Sequence, residues 1–474
     1  MAARVAGEWI EADDGPLVIV DPAHGQKFAI APSLPQRLAD RALEAAADGM
    51  GAWKKLSPVE RGGHLEAAAR QLLSWRDEVI GDLIAEGGKT PAEASGEFEK
   101  SVATLRYYSG LSGALDGRSF AAQRPSTRHE TRREPVGPVV AITPWNVPLA
   151  SPARKVAPAL LAGNPVIVKP ASQTPLSAYH LVKALVSVGI PDGVVQLLTG
   201  PGSTVGAKLV EHPATAAVSF TGSTDVGRAI HSTLAGSLVR LQLELGGKNA
   251  AVVLDDADLR RASDHIVSDA FSLAGQQCTA TSRVIVLSTV ADELTALILK
   301  RVSEIEVGGS DEQATRAMGP LIDAPQVESV NGYVERAVSE GARVRFGGAR
   351  LARPGYFFAP TVLDQVKGNM EIAREEVFGP VLSIIAVEDD RQALSVLNDT
   401  RYGLVSSVHT ESLARAEAFV SRSDTGIVSI NGPTSGIELS CPFGGFKESG
   451  TSTKEHGPES LDFYTRTKLV SWTS

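Results

Sequence analysis

Apolar residues recur at helical spacing through residues 42–53 and 60–86, interleaved with charge, so the first part of the chain is expected to be mainly helical. From Val139 the texture changes. Short apolar runs at 139–143 and 166–168 alternate with helical segments. Residues 175–188 read as a helix: Pro175 opens it, Leu176, Tyr179, Val182, Leu185 and Val186 supply the apolar side, and Gly189 and Pro191 stop it. Residues 194–198 and 217–220 read as strands, and 204–211 and 225–234 as helices. Continuous apolar strands separated by helices imply a parallel sheet covered on both faces, a doubly wound α/β domain. A second α/β series follows, with a strand at 250–254, a helix at 258–273 and further strands at 284–287, 344–346 and 381–387. No short repeat or low-complexity linker intervenes, so the domains are expected to pack together. Residues 120–134 are polar and Arg-rich, and 463–470 alternate like an edge strand; these two segments are expected to pair with each other or with another subunit.

Length and charge narrow the function. A chain of 474 residues is enough for two or three domains. The net charge of −9, without a long basic run, argues against a nucleic-acid partner. Two cysteines, Cys278 and Cys441, exclude a disulfide framework and a Cys-rich zinc ribbon, and fit a reducing compartment. No stretch of about 18 apolar residues occurs. The opening residues meet Glu11, Asp13 and Asp14 without an apolar run, so no targeting segment is expected. The expectation is a cytoplasmic protein without membrane or nucleic-acid partners.

Three places carry candidate chemistry. Cys278 follows Gly275, Gln276 and Gln277 and precedes Thr279 at the end of a predicted helix. A lone cysteine reads as a small core residue, yet these neighbours do not make an apolar pocket, and backbone amides beside a thiolate suit a negatively charged oxygen. Glu244 stands between Leu243 and Leu245, just before Gly246 and Gly247. It is either a charged strand end or a partly desolvated carboxylate with a raised pKa, able to take a proton from water. The third is the run from Thr143 through Asn146 to Pro148, directly after a strand, where open parallel sheets bind ligands. Asn146 offers an amide donor there or is an ordinary turn residue. Glycine-rich stretches recur after later strands, from Thr199 to Gly202 and from Phe220 to Thr224, and amides opening a helix suit a phosphate. A P-loop is set aside because Leu83 stands where the leading glycine ahead of Gly88, Lys89 and Thr90 belongs. Neither HExxH nor GxSxG occurs, and no metal site is expected.

In order along the chain, Pro144-Trp145-Asn146, Lys169 to Ser172, Phe220 to Ser223, Glu244 to Lys248, Gly275 to Cys278, Glu375 to Pro380 and Pro442 to Gly445 resemble the NAD(P)-dependent aldehyde dehydrogenase superfamily, over nearly the whole length. The resemblance implies an aldehyde dehydrogenase-like α/β fold. Residues 1–117 and 138–246 would form a Rossmann-type cofactor domain, 247–445 an α/β catalytic domain, and 118–137 with 456–474 a small β oligomerisation element of a homodimer or homotetramer. It implies Cys278 as nucleophile, an oxyanion held by the Asn146 side chain and the Cys278 N–H, and Glu244 activating the water that hydrolyses a thioester. Lys155 joins the catalytic set, and Lys248 and Glu455 match supporting charged positions. Thr143, Trp145, Lys169, Ser172, Gly202, Phe220, Ser223, Leu245, Glu376 and Phe378 match cofactor positions. Among them Lys169 is assigned to the adenine ribose, Ser223 to the pyrophosphate and Glu376 to the nicotinamide ribose, with Trp145 and Phe378 flanking.

Specificity rests on fewer residues. Ser172 stands where many strict NAD users of the family carry Glu, so both NAD and NADP are expected to bind. Val147, Arg154 and Gln277 match substrate positions. Val147, where many relatives have Phe, widens the tunnel. Arg154, where many carry an aromatic, either binds a substrate carboxylate, as in semialdehyde enzymes, or is outward or structurally paired. The C-terminal run looks closer to the α-ketoglutaric semialdehyde branch. Competing readings are broad aromatic or aliphatic aldehyde oxidation, a CoA-acylating relative and a catalytically silent homologue. Cys441 falls near the tunnel mouth on this reading.

Overall fold

Four helices, α1 (Arg37–Trp53), α2 (Pro58–Ser74), α3 (Arg76–Gly87) and α4 (Pro91–Gly110), fill the N-terminal part of the computed structural model, which describes residues 1–12, 15–308 and 317–473. Two of them start on the same chemical signal. Ser57 and Thr90 accept from the N–H groups of Glu60 and Glu93, these glutamates accept in return from Ser57 and Thr90, and Pro58 and Pro91 sit in the first turn. The reading of 60–86 as one helix is corrected, because Trp75 leaves helical geometry (φ −107°, ψ 17°) and separates α2 from α3. The first part is mainly helical, as expected, but short strands that the sequence reading did not pick out precede the helices. Antiparallel pairs of Ala3–Val5 with Glu8–Ile10, and of Leu17–Asp21 with Gln26–Ala31, precede α1. Ala3–Val5 and Glu8–Ile10 are too short to show a period in sequence, and Leu17–Asp21 and Gln26–Ala31 do not alternate apolar with polar residues.

The first sheet contains β1 (Ala3–Val5), β2 (Glu8–Ile10), β3 (Val139–Ile142), β4 (Val166–Lys169), β5 (Val195–Leu197), β6 (Ala217–Thr221) and β7 (Arg240–Glu244) in the order β7-β6-β3-β4-β5-β1-β2. Strands β3 to β7 are mutually parallel, with Ile142 in register with both Phe220 and Lys169, and Thr221 with Glu244. The helices α5 (Ala150–Leu161), α6 (Pro175–Ser187), α7 (Ala207–Glu211) and α8 (Thr224–Thr233) connect them. Of the helix expected at 204–211, only α7 is regular; a wider turn, Gly202–Gly206, precedes it. The chain winds outward from β3 through β4 and β5, then returns to the other side of β3 for β6 and β7. A crevice therefore opens between β3 and β6 at their carboxyl ends. This is a Rossmann-type arrangement within an α/β fold.

The second sheet is built from β8 (Ala250–Val253), β9 (Arg283–Leu287), β10 (Arg343–Phe346), β11 (Thr361–Asp364), β12 (Val381–Val387), β13 (Val405–His409) and β14 (Ile427–Ile430), in the order β10-β11-β12-β9-β8-β13-β14. Only β10 runs antiparallel to its neighbour, and its side chains are largely exposed, as befits an edge. Helix α9 (Leu259–Phe271) links β8 to β9, and Asp258 caps it by accepting from the N–H groups of Arg260 and Arg261. The loops entering β8, β9 and β12 carry residues 245–249, 278–282 and 375–380. The amino ends of this sheet thus face the carboxyl ends of the first.

Strands Thr127–Pro135 and Thr465–Thr473 pair antiparallel, from Thr465 opposite Pro135 to Thr473 opposite Thr127. Of the two partners expected for these segments, the pairing within the chain is present. The strand starts at Thr465 rather than 463, because Ser460–Tyr464 forms a short helix. Among the described residues no helix is long and apolar enough to cross a membrane.

Candidate active site

Cys278 is delivered by a strained loop. After α9 ends at Phe271, Leu273 and Ala274 both adopt left-handed backbone (φ 51° and 53°), which ends the helix expected to reach 273. Each costs about 1–3 kcal/mol, so the surroundings must enforce it. They do. The Leu273 N–H donates to Glu93 (2.6 Å), the Gln276 amide donates to Leu273 O (3.1 Å) and Pro320 O (3.3 Å), and its oxygen accepts from the Ile322 N–H (2.9 Å). Gly275 follows at φ 69°, and a Cβ there would sit 2.2 Å from Gly379 O. Asn249 completes the clamp. Its Nδ2 donates to the carbonyls of Cys278 (2.7 Å) and Ala280 (2.9 Å), and its oxygen accepts from Val405 N–H (3.2 Å).

Asn146 approaches this loop from the end of β3. Its side-chain Nδ2 donates to Gln276 O (2.8 Å), and its carbonyl accepts from Lys89 Nζ (2.6 Å). Lys89 pairs with Glu97 (3.0 Å), whose carboxylate also accepts from the N–H groups of Leu149 (2.9 Å) and Ala150 (3.1 Å) at the start of α5. A chain of charge-assisted bonds thus ties α4, α5 and the Asn146 turn together.

Glu244 ends β7. It is 2% exposed, and neither carboxylate oxygen has a hydrogen-bond partner. Desolvation raises its pKa well above the usual carboxylate range and Glu455 adds repulsion, offset in part by Lys155, Lys454 and Arg154. Burial therefore favours the desolvated carboxylate over the charged strand end. Lys155 lies at a distance from it in bonding terms: its Nζ donates to Ser219 Oγ (2.9 Å) and forms a buried ion pair with Glu455. The Cys278 thiol is pushed up to about 12, chiefly by burial and next by the charge of Glu376, with Arg154 opposing. Glu376 itself is raised to about 7 by burial, against a hydrogen bond from the Gly247 N–H (2.9 Å). Lys248 is buried with no partner for its Nζ, and burial lowers it to about 7.

Of these groups, Cys278, Asn146, Glu244, Glu376 and Glu455 line a cavity of about 440 Å³, whereas Lys155 and Lys248 lie outside its lining. The expected cofactor residues Trp145, Ser223, Leu245 and Phe378 line it too. Trp145 and Phe378 meet edge to face at 5.3 Å, and Gln326 fixes the left-handed Phe378 by donating to the carbonyls of Val377 and Phe378. Ser223 caps α8, and Leu245 packs so closely on it that a Cβ at Gly227 would sit 2.5 Å from its side chain. The remaining cofactor candidates, Thr143, Lys169, Ser172, Gly202 and Phe220, lie outside this cavity along the carboxyl edge of the first sheet. Lys169 donates to Pro170 O (2.8 Å) and burial lowers it to about 8; Ser172 donates to Gly200 O (3.3 Å).

The substrate candidates Val147, Arg154 and Gln277 also line the cavity, although the Gln277 amide donates back to Ser272 O (3.2 Å). No carboxylate among the described residues forms an ion pair with Arg154, and its buried Nε has no partner. Cys441 is exposed and outside the cavity lining. Sequence reading missed Asn249, His456 and the face of α4 formed by Glu93, Gly96, Glu97 and Lys100. For α4 a signal exists: Thr90, Pro91 and Glu93 spell a helix start, and the four positions follow at helical spacing. Among the described residues no cluster of three or more His, Cys, Asp or Glu side chains is placed to hold a metal.

Residues 9–470 match the model of the aldehyde dehydrogenase family. The chain is 38% identical over 473 residues to the alpha-ketoglutaric semialdehyde dehydrogenase of Bacillus subtilis (strain 168), covering 98% of this chain and 96% of that protein. Betaine aldehyde dehydrogenase from Staphylococcus aureus, solved in complex with NAD+, is similar at TM-score 0.96 and 31% identity, covering 100% of this chain and 95% of that one. So is 3,6-anhydro-L-galactose dehydrogenase in complex with NADP, at TM-score 0.96 and 33% identity, covering 100% and 99%.

Proposed function

The chain belongs to the aldehyde dehydrogenase family, and from that premise we propose that it oxidises a short aldehyde bearing a remote carboxylate to the corresponding acid, using NAD+ or NADP+ and covalent catalysis at Cys278. The observation that carries this reading is one cavity holding the Cys278 thiol, the partnerless Glu244 carboxylate and an Arg154 guanidinium without an anionic partner.

The sulfur of Cys278 attacks the aldehyde carbon as thiolate, a form that the Arg154 charge favours, and the thiol proton leaves to solvent. The new C–S bond leaves charge on the aldehyde oxygen. The Asn146 Nδ2 and the Cys278 N–H donate to it, preorganised by the Gln276 and Asn249 bonds. A bound NAD(P)+ would supply the acceptor for the hydride that leaves this carbon, and the carbon would then remain on the sulfur as a thioester. Glu244 then takes a proton from water as its oxygen adds to the thioester carbon; the C–S bond breaks, the sulfur leaves with the bonding electrons and the acid departs.

The carboxyl edge of the first sheet fits a dinucleotide. The buried Thr143 and Thr221 hydroxyls lack partners, Gly202 faces open space, and α8 presents its N-terminus. Lys169 and Ser172 would hold the adenosine ribose, Ser223 the pyrophosphate, and Glu376 the nicotinamide ribose, with Trp145 and Phe378 flanking. Ser172→Glu is expected to lower kcat/KM for NADP+ relative to NAD+ by about tenfold or more, because a carboxylate repels the 2′-phosphate. Parallel titrations with both cofactors check this.

The division into residues 1–117 with 138–246, 247–445, and 118–137 with 456–474 assigns cofactor, catalytic and oligomerisation units. The exposed Leu469 and Trp472 on the outer strand support a dimer or dimer of dimers. For the substrate, the test is kcat/KM over aliphatic, aromatic and ω-carboxylated aldehydes of matched length. A carboxylated preference of about tenfold or more, lost in Arg154→Met, is expected from a charge-assisted contact of about 1.5–3 kcal/mol. Equal or faster turnover of uncharged aldehydes would overturn the carboxylate reading and leave broad aldehyde oxidation.

A further inference from the structure

His456 is oddly placed for a buried histidine. It is 2% exposed, lines the cavity and has left-handed backbone (φ 61°), and neither ring nitrogen has a hydrogen-bond partner. Buried polar atoms are nearly always paired, and backbone of this kind persists only where its surroundings impose it. They impose it here: Phe443 and Glu455 exchange both backbone hydrogen bonds (2.7 and 2.8 Å), Gly457 follows at φ 62°, and the imidazole rests 5.2 Å from the Phe443 ring. The same turn that brings Glu455 to Lys155 therefore presents His456 to the cavity.

Lys100 reaches the cavity from α4. Its Nζ makes one long bond, to Ile437 O at 3.5 Å, and no ion pair among the described residues. Arg154 comes from α5, also without a carboxylate. Two cavity carboxylates are committed elsewhere, Glu97 to Lys89 and the first turn of α5, and Glu455 to Lys155, while the partnerless Glu244 forms no ion pair with these nitrogens among the described residues. Three nitrogen-bearing side chains from three parts of the chain thus line one cavity, and none of them forms an ion pair among the described residues. We propose that Lys100 and His456 complete, with Arg154, a subsite that grips the remote carboxylate of the aldehyde substrate.

This rests on the carboxylated-aldehyde reading above and assigns it two further specificity residues. A carboxylate accepts at about four sites, which the Arg154 fork, an ammonium and an imidazole N–H satisfy together. Burial, and after it the charges of Arg154, Lys100 and Lys155, hold the imidazole well below its usual pKa, so His456 donates as the neutral ring without adding another cation. Lys100, Arg154 and His456 line the same cavity of about 440 Å³ as Cys278, so the carbon chain between the reacting aldehyde and its remote carboxylate is bounded by that cavity.

The test compares kcat/KM for 4-oxobutanoate with that for butanal, in wild type, Lys100→Met, Lys100→Arg, His456→Gly, His456→Asn and Arg154→Met. Glycine and asparagine both tolerate the left-handed backbone, and asparagine restores a donor. The carboxylate preference is expected to fall about tenfold or more in Lys100→Met and His456→Gly, mainly through KM, and to recover in Lys100→Arg and His456→Asn. Glutarate, which carries carboxylates and no aldehyde, gives a second readout, with weaker competitive inhibition in the same two variants. Loss of the preference in Arg154→Met alone, with Lys100→Met and His456→Gly within about twofold of wild type, overturns this subsite and leaves the carboxylated reading standing. No preference in the wild type overturns that reading itself.

Discussion

Cys278→Ser lowers aldehyde oxidation by about 10⁴-fold or more, on the expectation that no other group in the cavity replaces the sulfur nucleophile. Cofactor binding is retained. The loop does not depend on the sulfur for its shape: Glu93, Gln276 and Asn249 tie it through backbone atoms, and the left-handed Leu273 and Ala274 lie ahead of the cysteine. A serine hydroxyl is a far weaker nucleophile at neutral pH, and nothing beside it acts as a base in hydrogen-bond contact. Single-turnover reduction of NAD+, with cofactor affinity measured alongside, decides the point. A residual rate within tenfold of wild type would remove Cys278 from the nucleophile role. The same thiol carries a pH signature. Because burial and Glu376 hold it at about 12, its thiolate fraction in the cofactor-free protein rises about tenfold per pH unit below that value. Alkylation of Cys278 by iodoacetamide therefore accelerates across the whole neutral and mildly alkaline range, read at its own peptide so that exposed Cys441 does not interfere.

Glu244→Gln is expected to leave a burst of about one reduced cofactor per site and to slow later turnover by about 10²–10⁴-fold, the usual contribution of a general base. The amide keeps the size of the side chain, which matters because a Cβ at Gly444 would already lie 2.8 Å from Oε1. On the proposed mechanism, attack and hydride loss do not use this carboxylate, whereas hydrolysis of the thioester does. The sign of the pH dependence follows from burial. A base works only when deprotonated, and the raised pKa of Glu244 delays deprotonation. Steady-state turnover thus rises with pH through a limb lying above the ordinary carboxylate range, and that limb disappears in the variant. Stopped-flow traces at several pH values check both parts. An unchanged steady state, or loss of the burst itself, would place the base elsewhere.

Much of the architecture was legible along the chain, for reasons that differ by element. Strands β3, β4 and β8 read clearly because a strand buried on both faces must be apolar throughout. Strand β13 did not, since Ser406, Ser407 and His409 are buried polar residues, Ser406 sharing a hydrogen bond with Thr425 and Ser407 one with His409 along the strand. The break at Trp75 was hidden because helical spacing continues on both sides of it. Among site residues, Cys278, Asn146, Glu244 and Glu376 stood out through motifs of their own. Asn249 closed one such motif unnoticed, its clamp on Cys278 being a contact across 29 positions.

By itself the sequence determined the alternation of strands and helices, and the candidate reactive groups and their order, because each depends on side-chain type and short-range spacing. The tertiary structure alone decided that the winding reversal of one sheet meets the amino ends of the other, so that groups more than a hundred residues apart share one cavity. It also decided which charges are left over. Lys155 and Glu455 neutralise each other across 300 positions, whereas Arg154, one residue before Lys155, has no such counterpart among the described residues. Whether a charge is paired depends on what surrounds it in space, and burial then sets how strongly that pairing, or its absence, is felt.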